Sequence, residues 1–225
     1  LPRHGLIRKR EFELKEQTDN RLVFKITSND ESLQNYPYHF RVEIAYELKG
    51  KEITITYRVH NLESDQVMPY FIGGHPAFRC PLLADEDYED YELIFEKEES
   101  CSVPLLFTET GLVDRLQRTP FLDHSRSLPL RHELFEKDAI ILDQLASKSV
   151  QLLSKKSGKG LEFAFADFEN LVLWSTNNKG PFIALEPWTG ISTSAEEGDF
   201  FEDKKGVIQL APQETRSHKY RITIL

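Results

Sequence analysis

The sequence predicts an all-β fold, an antiparallel β-sandwich with few short helices. Apolar residues mostly alternate with polar ones, and this period of two is typical of half-buried strands. The predicted strands are short and follow one another at intervals of about 8–12 residues, with turn residues between them. Helical periodicity is confined to two short segments, so helices contribute little to the predicted architecture.

A β-hairpin over residues 40–59 is the clearest single element. Apolar and polar residues alternate over residues 40–48 and again over 53–59. Between them lies Lys49-Gly50-Lys51, where Gly50 can adopt the positive φ of a tight turn. Further strands are predicted at residues 21–26, 66–72, 91–95, 150–154, 161–166, 171–175, 182–186, 207–210 and 218–225.

The remaining segments predict short helices and loops. One or two helical turns are expected over residues 83–90, with a weaker signal over 130–135. Residues 105–137 are the least regular part of the chain, and we expect them to form loops over one end of the sheets.

Length and composition indicate one domain over residues 1–225 and exclude several partners. The chain has 40% hydrophobic and 29% charged residues, enough apolar material for a core. A net charge of −9 argues against nucleic acid and anionic membranes as partners. No apolar run approaches the length of a membrane-spanning helix. The two cysteines, Cys80 and Cys101, are expected to be reduced thiols, which favours a cytoplasmic protein.

Two motifs place a histidine and a glutamate among glycines, prolines and aromatic residues, where a residue that serves only solubility is not expected. His75 follows two glycines and precedes Pro76, so its backbone is held extended and its side chain has a defined direction. Glu186 ends an apolar strand on the face shared with Phe182 and Ala184, where an ionised carboxylate is costly unless it is paired or used. With Trp188 nearby, the pair suits acid/base chemistry on a sugar.

Other candidate residues are ambiguous from the sequence alone. His4 lies near the start of the chain, and Asp138 precedes an apolar segment, where it could be a cap or turn residue. The other histidines, at positions 39, 60, 124, 132 and 218, are expected to be structural or exposed. Metal-ligand spacing and phosphate-binding glycine loops are not found, so neither a metal nor a cofactor is predicted.

Six segments, in their order along the chain, resemble the aldose 1-epimerase (galactose mutarotase) superfamily, most closely its bacterial LacX-like branch. They are His4-Gly5 with Arg8, Gly73-Gly74-His75-Pro76-Ala77-Phe78, Asp138-Ala139, Leu185-Glu186-Pro187-Trp188-Thr189-Gly190, Asp203-Lys204-Lys205-Gly206 and Leu210-Ala211-Pro212-Gln213-Glu214. The resemblance covers residues 1–225.

The resemblance implies a β-supersandwich fold with an open sugar groove, and a role for each residue. We expect Glu186 and His75 to face this groove, far enough apart to hold a pyranose between them. Glu186 matches the base that removes the proton from the anomeric hydroxyl, and His75 matches the acid that protonates the ring oxygen. His4 and Asp138 match sugar-binding residues of the family, with Arg8 and Trp188 as weaker candidates for substrate contact. The reaction interconverts the α and β anomers of a hexose such as glucose or galactose by ring opening and reclosure.

One departure from the family and several alternatives remain open. Family members carry further strands before the His4 motif, and we expect this chain to lack them, since it starts at Leu1 and its only methionine is Met68. Action on a hexose 6-phosphate would need converging basic residues, and a non-catalytic sugar-binding module would not need His75 and Glu186. A glycosidase would use Glu186 and Asp138 as paired carboxyl groups. The physiological sugar, the anomeric preference and the oligomeric state are left undetermined.

Overall fold

A computed structural model describes residues 4–225 as two compact units of antiparallel β-structure. Unit 1 comprises Leu1–Tyr70 and Ile208–Tyr220, and unit 2 comprises Phe71–Val207 and Arg221–Leu225. The fold is the all-β sandwich that the sequence predicts. None of the helices in residues 4–225 is long and apolar enough to cross a membrane.

Unit 1 contains a meander of antiparallel strands. Its sheet has the order β1-β2-β3-β4, followed by the unit 1 part of β15. A separate two-stranded pair joins β5 to β14. The elements of unit 1 are β1 (Glu13–Gln17), β2 (Arg21–Thr27), α1 (Asp30–Leu33), β3 (Phe40–Lys49), β4 (Glu52–Asn61), β5 (Met68–Tyr70), β14 (Ile208–Leu210) and the start of β15 (Thr215–Ile224).

The predicted hairpin is confirmed, with β3 and β4 paired from Phe40↔Asn61 to Lys49↔Glu52. Gly50, in the turn, has a φ of +60°, as the tight turn requires. Alternation buries one face, which includes Val42 and Val59 opposite each other.

The buried hydroxyl of Tyr70 lies 2.8 Å from Nε2 of His218, so this histidine has the structural role expected of it.

Unit 2 contains two sheets that pack face to face. The first has the order β11-β10-β7-β8, with the unit 2 part of β15 beside β11, and the second has the order β6-β13-β12-β9. Phe78 of the second sheet meets Phe163 of the first edge-on at 6.1 Å. The strands are β6 (Ala77–Arg79), β7 (Tyr91–Phe107), β8 (Leu112–Pro129), β9 (Ile140–Leu142), β10 (Ser149–Ser154), β11 (Gly160–Ala164), β12 (Asn170–Trp174) and β13 (Phe182–Trp188).

The prediction of loops over residues 105–137 is wrong, because most of this segment belongs to the long hairpin β7–β8. The pairing of these strands shifts register at several points between Ile94 and Leu105. Each shift moves the apolar residues to the opposite face, which removes the period of two that reveals a strand. Short β9 and β6 were likewise not predicted as strands.

Helices are as few as expected, but they are placed differently. The segments predicted as helical contain only 3₁₀ turns, at Tyr88–Asp90 and His132–Phe135. The α-helix of unit 1, α1, was not predicted. It begins with a capping box in which Asn29 and Ser32 bond each other's backbone N–H groups.

Candidate active site

The site is built on one face of the four-stranded sheet of unit 2. Glu186 of β13 lies opposite Val172 of β12, and Trp188 lies opposite Asn170. Because side chains alternate along a strand, Glu186, Ala184 and Trp188 project from the same face. The Glu186 side chain is only 3% exposed. A carboxyl group is thus buried beside apolar strand residues, as the sequence predicts.

His75 is brought to Glu186 by backbone hydrogen bonds on both sides of it. The Gly74 N–H donates to the Pro187 carbonyl at 3.0 Å, and the Leu185 N–H donates to the Pro76 carbonyl at 3.1 Å. The imidazole Nε2 lies 3.3 Å from Oε1 of Glu186, and the His75 side chain is 41% exposed. The expectation that the two groups share one site is met, but the expected gap wide enough for a pyranose between them is not.

Gly73 is required by the close approach of Trp188. The two residues form a β-bridge. A Cβ at position 73 would lie 2.7 Å from Cδ1 of Trp188 and 3.1 Å from the Pro187 carbonyl oxygen. The first glycine of the motif therefore makes room for the indole beside Glu186.

Burial makes Glu186 an unusually weak acid. Loss of solvation raises its pKa to about 8, although a hydrogen bond with the Trp188 side chain lowers it in part. The negative charge of Asp138 raises the pKa further. Oε2 of Glu186 is buried without a hydrogen-bond partner among residues 4–225. The carboxyl is thus poised to exchange a proton near neutral pH.

Asp138 lies close enough to Glu186 to act on it electrostatically. Its φ of +96° is outside the regions that residues other than glycine usually adopt. The Ala139 N–H donates to Oδ1 of Asp138 at 2.9 Å. Ala139 and Trp188 pack on the same buried cluster of Val113, Ile141 and Val172. The structure thus brings together four of the predicted residues: Glu186, His75, Asp138 and Trp188.

His4 and Arg8 belong to unit 1, where both are exposed. The φ of His4 is +68°, and that of the following Gly5 is +76°. Their participation in the site stays a prediction.

Trp174 is an aromatic neighbour of His75 that the sequence alone does not reveal. The Trp174 indole meets the His75 ring edge-on, with 6.1 Å between ring centroids and 86° between the planes. Its strand was predicted, but the sequence gives no register between that strand and the His75 motif. The described part of the chain has no group of three or more His, Cys, Asp or Glu residues arranged to hold a metal ion.

The fold and the site together define a β-sandwich protein in which a buried carboxyl group contacts an imidazole beside aromatic rings. The chain belongs to the aldose 1-epimerase family, whose model matches residues 1–223. It is accordingly an isomerase. The LacX proteins of Lactococcus lactis subsp. lactis, chromosomal and plasmid, are each 55% identical to it over 225 residues, which is all of this chain and 75% of theirs.

Solved structures give the same assignment. A galactose mutarotase related enzyme from Lactobacillus acidophilus superposes with a TM-score of 0.88 at 25% identity, covering 97% of this chain and 72% of that one. A galactose mutarotase-like protein from Lactobacillus casei gives a TM-score of 0.83 at 25% identity, covering 96% and 73%.

Proposed function

We propose that this protein is a mutarotase that interconverts the α and β anomers of a free aldohexose such as glucose or galactose. The observation that carries the proposal is the contact between His75 Nε2 and Glu186 Oε1 at 3.3 Å. Mutarotation needs a base at the anomeric hydroxyl and an acid at the ring oxygen. A carboxylate and an imidazolium meet both needs.

The proposed pair holds one proton between two groups. With the pKa of Glu186 near 8, the carboxyl and a neutral imidazole are one arrangement of this proton, and a carboxylate with an imidazolium is the other. The second arrangement is the working form. Transfer from Glu186 to His75 produces it without proton exchange with solvent.

In the proposed reaction, both residues recover their starting state. Glu186 accepts the proton of the anomeric hydroxyl while His75 donates a proton to the ring oxygen, and the bond between that oxygen and C1 breaks. The open aldehyde rotates about its C1–C2 bond. On reclosure His75 takes the proton back from the attacking hydroxyl, and Glu186 returns its proton to the carbonyl oxygen.

The short separation of the two groups suits this reaction better than the wide gap expected from the sequence. The hydroxyl oxygen and the ring oxygen are bonded to the same carbon, so the base and the acid must reach neighbouring atoms. Groups in contact can do so from one side of the sugar. We expect Asp138, Trp188, His4 and Arg8 to bind the rest of the ring.

Polarimetry tests the proposal directly. Freshly dissolved α-glucose or α-galactose should equilibrate faster with the protein than in buffer alone, without added metal or nucleotide. Glu186→Gln and His75→Asn should each lower kcat by about 10²–10⁴-fold, because each removes a positioned proton-transfer group. His124→Asn is the matched control, since this side chain is 80% exposed and pairs with Glu98.

Two outcomes would contradict the proposal. Decay of optical rotation at the buffer rate for every aldose tested would favour a sugar-binding protein without catalysis. Full activity of Glu186→Gln would remove the base assignment.

A further inference from the structure

Trp174 lies on the sheet face that carries Glu186. It is directly opposite Ala184 of β13, which is two residues from Glu186 and therefore on the same side of the sheet. On the other side of Ala184 lies Ala77 of β6. The residues that face Trp174 across β13 and β6 are thus two alanines, whose side chains are single methyl groups.

These small residues allow Trp174 to reach His75 across an intervening strand. β12 and β6 are both paired to β13, so their backbones are about 10 Å apart. The rings nevertheless come within 6.1 Å, centroid to centroid. Ala184 is fully buried, as expected for a methyl group beneath larger side chains. A larger residue at 184 would stand between the two rings.

The contact with Trp174 orients the imidazole ring of His75, which the backbone hydrogen bonds do not. Hydrogen bonds at Gly74 and Pro76 fix the main chain around His75 but leave the rotation of its half-exposed ring open. Trp174 packs against this ring and is itself supported by Phe182, at a centroid distance of 5.5 Å.

We propose that Trp174 is a positioning residue that holds the His75 ring within reach of Glu186 and of the sugar ring oxygen. This inference rests on the proposed function, since it assigns His75 the role of the acid. Trp174 acts through His75 and is not expected to bind the sugar itself.

Substitution of Trp174 should therefore affect kcat rather than KM. Trp174→Leu should lower kcat by about 10–100-fold, the usual cost of a misplaced reacting group, with KM within about 3-fold of wild type. Trp174→Phe keeps an aromatic ring and should recover most of the rate. The double variant His75→Asn/Trp174→Leu should be no slower than His75→Asn alone.

If Trp174→Leu folds poorly, a second variant can still test the proposal. Ala184→Val leaves both rings in the chain but places a branched side chain between them, and it should reproduce the loss in kcat. The matched control is Tyr88→Leu, which removes another aromatic–histidine contact in unit 2, the stack on His132 at 4.0 Å. Tyr88→Leu should reduce stability without changing kcat.

NMR tests the contact independently of activity. The ring protons of His75, identified by their loss in His75→Asn, should shift in Trp174→Leu and remain unchanged in Tyr88→Leu. Unchanged resonances in Trp174→Leu would overturn the proposal, as would a rise in KM with kcat unaltered or effects that multiply in the double variant. An inactive wild-type protein would instead refute the proposed function and the catalytic role with it, while the NMR shifts would still decide the contact.

Discussion

Glu186 combines a proposed role in proton transfer with a cost in stability. Its carboxyl is buried, and one of its oxygens has no hydrogen-bond partner among the described residues. Folding raises its pKa from 4.5 to about 8, so the folded state disfavours the ionised form. The same burial that poises the group for proton transfer therefore opposes folding wherever the unfolded chain would ionise it.

Glu186→Gln should stabilise the protein in a pH-dependent way. Below pH 4.5 the carboxyl is neutral in both the folded and the unfolded states, and the variant should match wild type. As pH rises from 4.5 to 8, the unfolded state ionises first and wild type loses stability relative to the variant. Above pH 8 the difference should reach a few kcal/mol. Urea unfolding at pH 4.5, 7 and 9 measures it.

If Glu186→Gln leaves stability unchanged or lowers it at pH 9, burial does not disfavour the ionised form of Glu186. Glu98→Gln is the control, because this side chain is 61% exposed.

At the scale of the element, the site depends on how closely the Gly73–Gly74 segment approaches β13. Gly73 bridges to Trp188, and the Gly74 N–H bonds the Pro187 carbonyl. The loop after β13 is held similarly: a Cβ at Gly190 would lie 2.4 Å from two ring atoms of Phe71. The contacts of Gly73 and Gly74 hold Trp188 beside Glu186, whose pKa the indole side chain lowers in part.

Gly73→Ala should impair the site through Trp188. The new methyl group would lie 2.7 Å from Cδ1 of the indole, so the ring or the strand must move. We expect a loss of about 1–3 kcal/mol in stability, as for overpacking in general, and a drop in kcat/KM of about 10-fold or more. Thermal unfolding and polarimetry measure the two effects.

Gly198→Ala is the matched control, since its Cβ would meet nothing within 4 Å. Wild-type activity in Gly73→Ala would show that the position of Trp188 does not matter to catalysis.

At the scale of the molecule, charge bears on the choice between free and phosphorylated sugars. The chain carries a net charge of −9. Among the strands β6, β13, β12 and β9, the only cationic residue is Arg79, which lies opposite Phe182 and so on the Glu186 face. Phe182 lies four positions before Glu186, about 13 Å along the strand. This arginine keeps a hexose 6-phosphate epimerase as a second candidate.

Free hexoses should nevertheless be turned over at least as well as their 6-phosphates. A dianionic phosphate needs fixed positive charge to offset its loss of hydration, and two candidate arginines, Arg79 and Arg8, supply little in a protein with a net charge of −9. Comparison of kcat/KM for glucose and glucose 6-phosphate at two salt concentrations tests this. A preference for the phosphate that weakens with salt and disappears in Arg79→Ala or Arg8→Ala would reverse the ranking.

The sequence by itself determined the all-β fold and the β3–β4 hairpin, and it singled out His75 and Glu186 as candidates for proton transfer, because these are local signals. Alternation, turn glycines and a charged residue in an apolar strand can be read within a few neighbouring positions. The irregular pairing of β7 and β8 erased this signal, so that hairpin was found only in the structure.

Only the tertiary structure decided which residues of different strands are neighbours in the site. The register of β12 and β6 against β13 sets Trp174 near His75 and brings His75 within 3.3 Å of Glu186. Burial then raises the pKa of Glu186, although its place in the sequence would suit an ordinary strand-end carboxylate. Register and burial depend on residues far apart in the chain, and a single sequence does not reveal which of them pair.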